Sequence, residues 1–184
     1  MRKNLINIHL ILGGFFLPVG LMFAITGGLY TFGFKGSYET KEWQIPAQAD
    51  LAIELPYLLG VANDVLKVAD LEAPSGAAGI KKMGTAWQLE WTGSRADFIL
   101  ESTDQPETLK AQYKKTNTHR FFVQLHKAKG GLIFKILAGA FSVALILLLF
   151  SGIMMAMASP DYMRLMKISL GAGTLVTFIA LWLG

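Results

Sequence analysis

ILAGAFSVALILLLFSGIMMAMA, residues 136–158, is the stretch on which the fold turns. It begins directly after Lys135 and meets no charged side chain until Asp161. A helix needs about 20 apolar residues to cross about 30 Å of hydrocarbon, so this stretch spans a bilayer unaided. The other way to hide it, inside a large soluble core, needs a far longer chain than 184 residues. Working outward, Leu5 to Phe34 is a second apolar block, interrupted by Asn7, His9, Pro18 and a few Thr, Tyr and Gly. Ile168 to Gly184 is a third, barely long enough, with Trp182 suited to a membrane interface.

Composition agrees with a membrane protein. Hydrophobic residues make up 53% and charged residues 16%, whereas an ordinary soluble domain carries about 25% charged residues. A soluble globular enzyme is excluded. With no cysteine the chain forms no disulfide, thiolate zinc site, iron–sulfur cluster or covalent c-type haem, and has no cysteine nucleophile.

Arg2 and Lys3 make a basic start, and Ala47-Gln48-Ala49 has the small-residue pattern of a signal cleavage site. The apolar stretch is about twice as long as a signal's apolar core, and the tripeptide lies well beyond its end. The first block therefore reads as a retained helix.

The segment between the first two blocks divides by charge. Lys35 to Glu107 holds six basic and 12 acidic residues, a net of −6, while Lys110 to Lys135 holds seven basic and none acidic. This switch predicts an acidic domain standing on a basic membrane collar of Lys114, Lys115, Arg120, Lys127 and Lys129, which faces lipid headgroups. Leu55, Leu58, Leu59, Ala62, Val65, Leu66 and Ala69 recur at three and four, with Pro56 in the first turn, and predict an amphipathic helix. Trp87, Leu89 and Trp91, then Ala96, Phe98 and Leu100, alternate about a Thr92-Gly93-Ser94 turn and predict a hairpin with one aromatic face for that helix to cover.

The expected architecture is an integral membrane α-helical protein with three transmembrane helices and a small α+β domain between the first two. Its parts are a first helix in 1–34, the domain in 35–118, collar and second helix in 119–158, a cytoplasmic loop in 159–167 and a third helix in 168–184. Arg2, Lys3, Arg164 and Lys167 place the N-terminus and that loop in the cytoplasm and the domain outside it.

Asn7-Ile8-His9-Leu10-Ile11-Leu12-Gly13-Gly14, then Thr26-Gly27-Gly28-Leu29-Tyr30, Leu125-His126-Lys127 with Gly130-Gly131, and Ser151-Gly152-Ile153 resemble the PepSY-associated transmembrane proteins. The resemblance implies a PepSY-like central domain and a bacterial inner membrane. It also implies two kinds of role, since some such proteins are haem-containing reductases that release iron from siderophores and many are small proteins with no assigned activity.

The histidines bear on the first role. A membrane b-type haem takes two imidazoles at one depth, whereas His9 and His126 are expected near opposite membrane faces, about 30 Å apart. No cofactor is expected in a single copy. Haem b bound through His9 or His126 requires a second copy or a partner subunit to supply the other ligand. Ser142 and Ser151 are expected to have no His or Lys at their depth to serve as a base, which argues against an intramembrane serine protease. No phosphate-binding loop, metal-ligand spacing or nucleic-acid interface is present in the sequence.

Small residues recur instead. Gly20, Ala24 and Gly28 in the first block and Gly152 and Ala156 in the second repeat every four positions, the pattern of a helix-packing seam in lipid. The expected partners are other membrane subunits, or a homodimer through the first helix, together with membrane lipids and no nucleic acid. The sequence thus points first to a non-catalytic accessory or scaffold subunit of an inner-membrane assembly, respiratory or redox in kind, its domain contacting an extracytoplasmic partner. The alternatives are a haem-assisted reductase component for iron or another periplasmic acceptor, and a regulator of extracytoplasmic proteases or protein folding.

Overall fold

The computed structural model describes residues 2–47, 51–84, 86–105 and 107–184. Gln48 and Ala49 of the candidate cleavage tripeptide lie outside the described residues. The elements run α1 (Arg2–Thr31), β1 (Tyr38–Pro46), α2 (Leu55–Val68), β2 (Ala78–Met83), β3 (Ala86–Thr92), β4 (Ala96–Ser102), β5 (Thr108–Thr116), α3 (Thr118–His126), α4 (Leu132–Ala156) and α5 (Pro160–Leu183). The chain forms two compact units, one of Leu21–Ala138 and one of the residues up to Gly20 with Gly139–Gly184.

The first of these contains a five-stranded sheet in the order β1-β5-β4-β3-β2, antiparallel throughout. Register aligns one apolar row across it: Ile80 opposite Leu89, Leu89 opposite Leu100, Leu100 opposite Ala111, and Ala111 opposite Trp43. Because strand side chains alternate, that row and the neighbouring pair Phe98 and Tyr113 lie on one face. Helix α2 covers it with Leu58, Ala62 and Leu66, spaced by four and sealed from solvent. Pro56 sits in its first turn as expected, where a missing N–H costs nothing. Asp70 closes the helix in the left-handed region, at φ 51.

The predicted helix and hairpin are both present, and three further strands complete the sheet. Strand β5 includes Lys114 and Lys115 of the basic segment. The basic segment is divided again after His126. Ala128 has φ 58, and an added Cβ at Gly130 would stand 2.9 Å from the Phe134 ring and 3.0 Å from Leu125. The chain therefore breaks here, and His126 ends the short helix α3 rather than opening the second long helix.

In the other unit, α1 and α4 run antiparallel. A Cβ at Gly13 would meet Leu148 at 3.8 Å, Phe16 lies 6.0 Å from Phe141 between ring centres, and a Cβ at Gly20 would meet Phe141 at 3.4 Å. Three helices are long and apolar enough to cross a membrane: Lys3–Thr31, Leu132–Ala156 and Pro160–Leu183. The third starts earlier than expected. Most of the predicted 159–167 loop is helical, because Pro160 suits a first helical turn and Asp161 there faces the positive end of the helix dipole.

Candidate functional site

Period-two alternation puts Asp97 on the face of β4 opposite Ala96, Phe98 and Leu100. There α3 covers it, bringing down Val123 and Gln124, both buried. The carboxylate is 6% exposed and is met from four sides. Tyr38 Oη donates to Oδ2 at 3.0 Å and Gln124 Nε2 at 3.2 Å, while the Gly93 N–H donates to Oδ1 at 3.0 Å and Lys129 Nζ at 3.4 Å. Tyr38 Oη in turn accepts from Arg120 Nη2 at 2.9 Å and Gln124 Nε2 at 3.0 Å, and the guanidinium lies 4.6 Å from the Tyr38 ring centre. Burial pushes the Tyr38 phenol above its ordinary range; the Arg120 hydrogen bond opposes this and Asp97 reinforces it. Arg120 Nε and Gln124 Oε1 are buried with no hydrogen-bond partner among the described residues. Asn117 caps α3 by accepting from the Arg120 N–H at 2.8 Å. A left-handed Gly36, φ +72, lets the chain pass against the Arg120 backbone, where an added Cβ would stand 2.6 Å from its nitrogen.

Two collar residues are thereby tied down. Arg120 also donates to the Lys35 carbonyl at 3.1 Å, and Lys129 pairs with Asp97. Lys127 is exposed and forms no ion pair among the described residues.

In the same unit, His126 Nδ1 lies 3.0 Å from Thr26 Oγ1. The Thr26 hydroxyl already has a carbonyl acceptor, Met22 O at 2.6 Å. Its single proton goes there, so His126 donates from Nδ1, and Nε2 has no hydrogen-bond partner among the described residues. The imidazole lies 4.8 Å from the Phe23 ring centre, and Gly27 makes room for it, since a Cβ there would stand 3.1 Å from His126 Cε1. A cavity of about 330 Å3 opens beside this contact, lined by Thr26, Tyr30, Thr31, His126 and Lys127 among others. The third histidine, His119, lies with Nε2 3.0 Å from the Phe34 carbonyl, to which it donates.

In the helical unit, His9 Nδ1 lies 2.7 Å from Ser151 Oγ. This overturns the expectation that Ser151 has no histidine at its depth. Sequence spacing could not show it, because the two residues are 142 positions apart. Ser151 Oγ also reaches the Leu148 carbonyl at 3.0 Å. The contact joins α1 to α4 through one polar pair.

Both imidazoles have the outer hydrogen bond that fixes a metal-ligating histidine, with Nε2 left over. Neither unit completes a bis-imidazole set, since His119 Nε2 is occupied and His9 stands alone in the other unit. Among the described residues no group of three or more His, Asp and Glu could hold a metal ion.

The predicted packing stripe is divided. Gly20 meets Phe141, whereas Ala24 and Gly28 are exposed. Contacts of α1 in the helical unit fall at His9, Gly13, Phe16 and Gly20, a four-three-four spacing rather than the regular four of Gly20, Ala24 and Gly28. On α4, a Cβ at Gly152 would meet nothing within 4 Å, and Ala156 is half-buried.

The model of the family described as PepSY-associated TM region matches residues 1–158. The chain belongs to that family. No curated protein and no solved structure matches it. With three spans and this family membership it is a multi-pass membrane protein.

Proposed function

We propose that this PepSY-associated chain is a non-catalytic accessory subunit of a bacterial inner-membrane assembly, respiratory or redox in kind, with the N-terminus in the cytoplasm and a PepSY-like sheet domain contacting a partner outside it. The observation that carries the reading is α5, which has no buried residue over its 24 residues. A helix that served only the chain's own bundle would bury a face against its neighbours. The exposed Ala24 and Gly28 add a bare stripe on α1 that a second membrane helix can approach closely. Mass spectrometry of the complex purified in mild detergent tests this. A stoichiometric membrane partner is expected with the full chain and should be lost when residues 160–184 are deleted. Recovery of the chain alone under conditions that keep other inner-membrane complexes intact would remove the reading.

The free Nε2 atoms of His9 and His126 favour a second reading, a haem-assisted reductase component for iron or another periplasmic acceptor. It requires the other axial ligand from a second copy or a partner. Its signature is a Soret band in the assembled complex that is lost on His126→Ala or His9→Ala.

A further inference from the structure

Lys127 of the basic segment lines a cavity with Tyr30 and Thr31. We infer that the cavity at the end of α1, between Tyr30, Thr31 and Lys127, binds the phosphate of an anionic phospholipid. Its depth is the first argument, because Thr26 to Thr31 close the span Lys3–Thr31 and so lie where hydrocarbon gives way to headgroups. Charge is the second. Lys127 Nζ lies 6.0 Å and Lys35 Nζ 5.4 Å from the centre of the same Tyr30 ring. Neither ammonium pairs with a carboxylate among the described residues, and none of Lys110 to Lys135 is acidic.

Shape is the third argument. The cavity measures about 330 Å3, and its walls of Gly27 and Val123 suit the start of an acyl chain while the polar groups stand at one end. Tyr30 lines the cavity with Lys127, and its Oη has no hydrogen-bond partner among the described residues, so it is available to donate to a phosphate oxygen. His126 lines the same cavity. Lys114, Lys115, Arg120 and Lys129 take no part, being in the sheet or in the Asp97 network.

The test uses the full chain in mild detergent, with native mass spectrometry counting retained phosphatidylglycerol against phosphatidylcholine. The wild-type chain should retain phosphatidylglycerol preferentially. A lysine near an anionic surface contributes roughly a fivefold factor, so Lys35→Gln with Lys127→Gln should lower that preference by about 25-fold. Thr31→Trp, which fills the cavity without changing charge, should lower it as well. Lys82→Gln, on exposed β2, should leave it unchanged. Equal loss from Lys82→Gln would mean diffuse attraction and overturn the site. Undiminished preference in both pocket variants, or displacement of the lipid by millimolar inorganic phosphate, would overturn it too.

Discussion

Leu58, Leu89, Phe98 and Leu100 in the sheet domain are sealed from solvent, whereas Leu175, Phe178 and Leu181 of α5 are 61%, 66% and 74% exposed within the chain. The residue types are alike and their surroundings differ. In the sheet domain the chain supplies both surfaces of the apolar contact, α2 on one side and the aligned row across five strands on the other. In α5 it supplies one, and the bilayer or another protein supplies the second. The polar groups follow the same division. In the sheet domain Asp97 gathers a branched network of polar atoms, while in the helical unit His9 and Ser151 join α1 to α4.

The largest test of that contrast compares cavities. Phe98→Ala should destabilise the sheet domain by about 3–5 kcal/mol, read as thermal unfolding in detergent, and Leu175→Ala should leave the transition where it was. An equal loss from both would show that α5 is packed after all. Next is Asp97→Ala, which strips four donors of their acceptor and leaves the Lys129 ammonium without its partner. A loss of about 3 kcal/mol is expected, with faster hydrogen exchange in α3 as the local readout. Ser151→Ala and Thr26→Val remove hydroxyls that fasten helices, and such bonds average about 0.6 kcal/mol in membranes. A thermal shift from either that rivals Asp97→Ala would contradict the ranking.

The smallest expected effect is alkaline. Tyr38 has its phenol pKa raised in the fold from 10.0, so the protonated form contributes stability that is present below pH 10 and lost as pH rises through the raised value. Tyr38→Phe should flatten that alkaline decline.

A topology test separates the two regions directly. Cysteines at Lys82 and Ser159, probed with an impermeant thiol reagent in intact cells, should label at 82 and not at 159. Lys82 is exposed, whereas Ser94 in the hairpin turn is 7% exposed and would report poorly.

The three spans, the amphipathic α2 and the β3 and β4 hairpin were legible because each rests on local periodicity. Strand β5 carries the same alternation, Leu109, Ala111 and Tyr113 against Lys110, Gln112 and Lys114, but its lysines make it read as a basic segment before it reads as a strand. Strand β1 hid behind its charges, since an edge strand with one half-buried row needs few apolar residues. The site was less legible than the fold. His9, Thr26, Asp97, His126 and Ser151 meet partners 27 to 142 positions away, and no spacing rule reaches that far. Asp97 left one trace, a carboxylate set between Ala96 and Phe98 in the apolar half of β4.

Helix α5 begins at Pro160, two residues beyond the family's matched region, and none of its residues is buried. Substitutions along it therefore create no cavity in the remainder of the chain. Its sequence is free to drift or be exchanged between relatives without disturbing the sheet domain, and whatever constrains it comes from the lipid or protein on its far side.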